Sequence, residues 1–122
     1  MSVTSQSPLP LSQVRWLVVH CSDSPYGDAQ IIDRWHRQRG FTGIGYHFVI
    51  LNPYPDESSW KLHRPRFESD GVVEKGRALE LSGAHLQGRN LYSIGICLIG
   101  KDLFTSAQFF SLSRLLAQLK EK

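Results

Sequence analysis

Short apolar runs alternate with polar, turn-rich stretches along this chain, and the spacing within each run says which element it forms. Arg15 to His20 (RWLVVH) is a brief apolar run with two adjacent β-branched valines, which predicts a buried strand. Cys21 to Gly27 is a loop of turn residues. A helical pattern follows, capped by Asp28, running to about Arg39 and ended by Gly40; Ile31, Ile32 and Trp35 fall on one side, Asp33, Arg34 and Arg37 largely on the other. Gly45 to Leu51 (GYHFVIL) predicts a second strand, Val72 to Lys75 a short third after the Asp70-Gly71 turn, and Ile94 to Ile99 a fourth. Thr105 to Gln108 fits a capping box, and the helix it opens sets Phe109, Leu112, Leu115, Leu116 and Leu119 on one face before Lys120 and Lys122. Between the second and third strands, Asn52 to Asp70 carries Pro53, Pro55 and Pro65 and reads as an irregular insertion. Strands interleaved with helices predict an α/β domain: a single mixed β-sheet flanked by helices.

Composition narrows this picture without redirecting it. The 122 residues suit one domain, residues 14–122, preceded by a polar, Pro/Ser-rich leader over residues 1–13. Hydrophobic residues at 41% and charged residues at 20% fit an ordinary globular core. The net charge of +3 and pI of about 9.1 would favour a polyanionic surface, but are also ordinary solubility charge. A nucleic-acid or regulatory role would rest on that charge alone, so no nucleic-acid partner is expected. Cys21 and Cys97 make no disulfide framework. The N-terminus shows no secretory pattern and the longest apolar stretch, Trp16 to Val19, is far too short to span a membrane, so no membrane partner and a cytoplasmic residence are expected.

Candidate chemistry centres on five histidines, His20, His36, His47, His63 and His85. His20 ends an apolar strand where a polar loop begins, the position at which α/β domains place ligands; a core-capping histidine is the equal alternative. Tyr46 and His47 are adjacent in a strand, so at most one of them faces a given pocket, and either can simply be packing. His85 lies in a glycine-bounded loop, open to ligand or merely on the surface. His36 and His63 read as surface residues, and Cys97 as core. Cys21 would face away from His20, so the pair is not expected to share a metal. No H-E-x-x-H, C-x-x-C, P-loop, G-x-S-x-G or Rossmann glycine pattern is present.

Six segments taken in order say more. They are Val18-Val19-His20-Cys21-Ser22, Ile32-Asp33-Arg34-Trp35-His36 on to Gly40, Gly43-Ile44-Gly45-Tyr46-His47-Phe48-Val49-Ile50, Asp70-Gly71-Val72-Val73-Glu74-Lys75-Gly76-Arg77, Gly83-Ala84-His85-Leu86-Gln87-Gly88-Arg89-Asn90, and Ser93-Ile94-Gly95-Ile96-Cys97-Leu98-Ile99-Gly100. The series, spanning about residues 15–119, resembles the N-acetylmuramoyl-L-alanine amidases of the phage lysozyme type, whose fold the peptidoglycan recognition proteins share. The resemblance implies zinc-dependent hydrolysis of the amide between N-acetylmuramic acid and L-alanine in peptidoglycan, in a phage or prophage setting. It makes His20 the first zinc ligand and Tyr46 the catalytic tyrosine, and it places His85, Asn90 and Ser93 at the substrate cleft. Such an enzyme would act on the wall after release, or on imported fragments.

Two departures from the family pattern stand out. The insertion, residues 52–69, replaces a short hairpin; its Tyr54, Trp60, Phe67, Arg64 and Arg66 could extend a glycan-binding surface, or the loop could be a tolerated surface excursion. The family also carries a second histidine ligand, a catalytic lysine and a cysteine or aspartate ligand beyond the leucine-rich helix, and nothing after Gln108 matches them. The domain therefore reads as C-terminally short, with a second chain or a further segment expected to complete the sheet and the metal site. The alternative reading is a non-catalytic peptidoglycan-binding module.

Overall fold

In the computed structural model the described residues are 14–85, 88 and 90–121; the leader expected over residues 1–13 lies outside them. Four strands form one mixed sheet in the order β1-β4-β2-β3, with β1 at Trp16–Cys21, β2 at Phe48–Ile50, β3 at Val73–Lys75 and β4 at Ser93–Leu98. Both β1 and β2 run parallel to the central β4, and β3 pairs antiparallel with β2. Every residue of β4 is buried, as expected for a strand covered on both faces.

Alternation along β4 sorts the core into two layers. Ile94, Ile96 and Leu98 join Ile50 against Leu115 and Leu119 of helix α3 (Ser106–Lys120). Cys97 and Ile99 join Val49 and Leu51 against Ile32 of helix α1 (Ala29–Gln38), with Trp35 and Tyr46 packed beside them. Asp28 caps α1 by accepting from the Ile31 amide at 2.8 Å, and Gly40, at φ 92°, follows its C-terminal cap residue Arg39. The capping box at α3 is formed as the sequence predicts: Thr105 accepts from the Gln108 amide, and Gln108 accepts from the Thr105 amide, each at 3.0 Å.

Three expectations change. Phe109 does not join the buried face of α3; it is 53% exposed and packs beside Phe104. The inward position belongs to Gln108, fully buried, whose Nε2 donates to the carbonyls of Ile99 (2.8 Å) and Ile50 (3.2 Å) and so ties α3 to the ends of β4 and β2. A glutamine with both ends satisfied outcompetes a phenylalanine there because the strand-end carbonyls need a donor. Next, the second strand is shorter than Gly45 to Leu51, because residues 44 and 45 bond to α1 and to a later loop, although the His47 amide still donates to the Gly95 carbonyl of β4 at 2.8 Å. Finally, the insertion is not wholly irregular. It contains helix α2 (Glu57–Lys61), opened by an Asp56–Ser59 capping box, and a 3₁₀ turn at Phe67–Ser69. No described helix is long and apolar enough to cross a membrane.

Candidate active site

Strand β1 delivers His20 to the face of the sheet that α1 covers, level with Cys97 of β4. Across from it, residues 44–47 are clamped from two sides. From α1, Asp33 Oδ1 accepts from the Ile44 amide (2.7 Å) and His36 Nδ1 accepts from the Gly45 amide (2.9 Å). From the far side, Arg77 Nε donates to the Ile44 carbonyl (3.0 Å), its amide donates to the Tyr46 carbonyl (2.8 Å), and the Ala84 amide donates to the Gly45 carbonyl (3.0 Å). Arg77 Nη1 also donates to the Ser82 carbonyl at 2.8 Å, binding the segment to the loop that carries His85.

This clamp sets Tyr46 beside His20, with ring centroids 5.2 Å apart, and 6.5 Å from His85. His20 Nε2 and His85 Nδ1 share a hydrogen bond of 2.9 Å whose direction follows the tautomers. Around His85, the Ser93 hydroxyl lies 3.1 Å from Nε2 and Asn90 Oδ1 accepts from the His85 amide at 2.9 Å. All five residues singled out from the sequence, His20, Tyr46, His85, Asn90 and Ser93, thus meet around one histidine. Ser93 is fully buried, so within this arrangement it holds the His85 ring rather than presenting a surface to ligand. Gly95 lets His85 lie on the sheet: a Cβ there would stand 2.6 Å from His85 Cγ.

Burial sets the charge of the cluster. It pushes the Tyr46 phenol up to about 12, so the hydroxyl keeps its proton at neutral pH. His85 is pushed down to about 4 by burial and then by His20 and His47; burial also lowers His20. These imidazoles are neutral near pH 7. His47 is structural. It is buried, donates through Nε2 to the Leu81 carbonyl at 2.8 Å and accepts from the Gly95 amide through Nδ1 at 3.1 Å.

His36 corrects the sequence reading. It is buried rather than on the surface, because its ring accepts from the Gly45 amide and packs against Tyr46 and Phe41. His63 is exposed, as expected. Burial, then Arg39 and Arg77, pushes His36 down to about 4. The folded state therefore disfavours its protonation while the unfolded chain takes up a proton below about 6.5. Stability from His36 is complete above that pH and is lost as pH falls toward 4, by about 3 kcal/mol. Urea titrations should show the parent losing more stability between pH 6.5 and 4 than His36→Gln. Equal losses would show that His36 does not titrate in this way.

Zinc tests the geometry directly. Two nitrogens bound to one tetrahedral zinc stand about 3.3 Å apart, from bond lengths near 2.0–2.1 Å. His20 and His85 are closer, at hydrogen-bond distance, and among the described residues no group of three or more His, Cys, Asp or Glu side chains could hold a metal ion. Cys97 is buried with its thiol pushed up to about 12 by burial, and Cys21 is exposed; neither supplies the third donor. The described residues by themselves do not fit a zinc centre. Sequence reasoning also passed over Asp33, His36 and Arg77, which position the site; each does so through backbone groups far away in the chain, and no local pattern marks that.

Residues 10–122 match the family model described as N-acetylmuramoyl-L-alanine amidase (Amidase_2). The endolysin of Klebsiella phage KP32 is 32% identical over 115 residues, which cover 85% of this chain and 65% of that protein, so the chain spans just under two thirds of its relative. Among solved structures, the N-acetylmuramoyl-L-alanine amidase LysC from Clostridium intestinale superposes with a TM-score of 0.72 at 30% identity, over 97% of this chain and 70% of LysC. Peptidoglycan recognition protein-LE, solved in complex with tracheal cytotoxin, a monomeric diaminopimelic acid-type peptidoglycan, gives 0.68 at 25% identity over 94% of this chain and 65% of its own. A family match over all of the described residues settles the kinship: the chain belongs to the N-acetylmuramoyl-L-alanine amidase family.

Proposed function

We propose that this chain hydrolyses the amide bond between N-acetylmuramic acid and L-alanine in peptidoglycan, as its kinship with phage endolysins and LysC supports. The observation that carries the reading is Tyr46, a protonated phenol held against His20 where a parallel strand ends. A module that only binds has no evident need for such a group. In hydrolysis, water adds to the amide carbonyl and negative charge gathers on its oxygen. The Tyr46 hydroxyl donates to that oxygen, or orients the water, and loses no proton doing so. His20 stands neutral at the same place, its Nε2 shared with His85, whose ring Ser93 holds in turn. Asn90 fixes the backbone from which His85 projects.

Zinc dependence, with His20 as ligand, belongs to the same reading, and the remaining donors would come from outside the described residues, from a second chain or a further segment. A second reading is a peptidoglycan-binding module without hydrolysis. It is favoured by the His20–His85 hydrogen bond, which ties up both rings, and by the kinship of shape with a recognition protein that holds a peptidoglycan fragment.

Mass spectrometry of a defined muropeptide incubated with the 122-residue chain and added zinc separates the two. Release of the free stem peptide, abolished by chelator and by His20→Ala, is the expected result. An intact muropeptide would overturn hydrolysis by this chain, and retained binding would then assign the second reading.

A further inference from the structure

Two residues beyond β4 and two beyond β2, a cavity of about 490 Å³ opens, lined by Asn52, Tyr54, Trp60, Lys101, Asp102 and Leu103 among others. Pro25, in the loop that follows β1, closes another side. The cavity therefore lies beyond the carboxyl ends of the three parallel strands, the end at which His20 stands and at which open parallel sheets take ligands. Its volume is within the roughly 300–1,000 Å³ usual for small-molecule sites.

The insertion is built to hold aromatic rings at this cavity. Asn52 Nδ2 donates to the Pro25 carbonyl (2.9 Å) while its Oδ1 accepts from the Tyr54 amide (2.8 Å). The Gly27 amide donates to the Tyr54 carbonyl at 3.0 Å, and the Ser69 hydroxyl donates to the Asn52 carbonyl at 2.8 Å. The Asp56 capping box starts α2, which carries Trp60. The Trp60 ring lies 6.0 Å from Tyr26, tilted by 32°, and Tyr26 in turn lies 6.0 Å from Trp35 of α1. An aromatic ladder thus runs from α1 out to the cavity and ends in an indole that is still 39% exposed. A tolerated surface loop has no need of such support. Of the other insertion residues considered for glycan contact, Phe67, Arg64 and Arg66 do not line the cavity; Phe67 is 71% exposed, and Arg66 stands 3.9 Å from Asp56.

The lining chemistry selects the ligand. Flat aromatic faces suit the C–H faces of a pyranose ring, as they suit other rigid apolar surfaces. Lys101 brings donors, Asp102 brings acceptors, and their formal charges cancel, which favours an uncharged ligand rich in hydroxyl and amide groups over a carboxylate or phosphate. We propose that Trp60, Tyr54, Lys101 and Asp102 form a subsite for an N-acetylhexosamine ring of the glycan strand, extending the proposed cleavage site through the insertion. The choice of sugar rests on the peptidoglycan reading above.

The test is an NMR titration of the ¹⁵N-labelled 122-residue chain with tetra-N-acetylchitotetraose, a peptide-free chain of N-acetylglucosamine. Saturable shifts of the Trp60 indole N–H and of amides 54 and 100–103 are expected, with affinity at least about tenfold weaker in Trp60→Ala and in Asp102→Ala. Asp102 is exposed, so the second variant keeps the question open should the first fail to fold. No saturable shift up to about 10 mM sugar would overturn the subsite, as would shifts that avoid these residues or appear only with free stem peptide. The probe has no lactyl–alanine amide. Sugar binding without muropeptide cleavage therefore sinks the hydrolysis reading and leaves the subsite standing; cleavage without sugar binding sinks the subsite alone.

Discussion

Tyr46→Phe should lose about 10²–10³ in kcat on a muropeptide while KM stays nearly unchanged. The substitution removes only the hydroxyl. The ring still packs between His20 and His36, at centroid distances of 5.2 and 5.4 Å, so the site keeps its shape. On the proposed reading, what disappears is a donor to charge that exists only once water has added to the carbonyl, and such an interaction appears in kcat rather than in ground-state binding. Because the phenol is pushed up to about 12 by burial, the parent carries this donor throughout the range in which the assay is run. Rates of stem-peptide release, measured beside circular dichroism to confirm folding, decide the matter. A variant as fast as the parent would remove Tyr46 from the chemistry and leave it as a packing residue.

Gly45→Ala should cost about 3 kcal/mol or more of stability, the upper range for overpacking a close contact. A Cβ at this position would stand 2.2 Å from the Ala84 carbonyl oxygen and 2.8 Å from its carbon, both backbone atoms that cannot swing aside. Nor can Gly45 itself retreat, since its amide donates to His36 and its carbonyl accepts from the Ala84 amide. Relief has to come from moving the loop that carries His85, so the variant should lose the arrangement around His20 as well as stability. In a domain of this size the thermal midpoint would fall by roughly 10 °C. Denaturant unfolding checks the expectation, and a change within about 0.5 kcal/mol would show that the two segments are not locked together in solution.

Both variants act on a segment that the sequence misread. Gly45 to Leu51 has the composition of a strand, and Phe48–Ile50 is one. Ile44 and Gly45 have the same local character, yet Asp33, His36 and Arg77 draw them out of the ladder, and those partners stand 9 to 33 residues away in the chain. Phe109 and Gln108 show the same limit at single-residue scale. Helical spacing marks a stripe only to within a position, and the unpaired need of the Ile99 carbonyl for a donor chose Gln108 for the interior. In the insertion, Asp56 and Ser59 carried a legible capping signal, but three prolines masked it.

By itself the sequence determined the elements with strong periodicity and explicit ends. Strand β4 is apolar enough to be buried throughout, whereas β1 forms where expected but as an edge strand with no buried residue, because only one neighbour covers it. Helices α1 and α3 announce themselves through Asp28 and Thr105, because caps satisfy backbone groups within three residues of themselves. The sequence also singled out His20 and His85, which lie together in the structure, although through the family pattern rather than through any physics local to them. Only the tertiary structure decided that His20, Tyr46 and His85 meet, that Ser93 and Asn90 serve His85, and that His36 is a buried clamp. Those outcomes depend on sheet register and on hydrogen bonds closed between distant segments, and one chain read residue by residue carries no record of either.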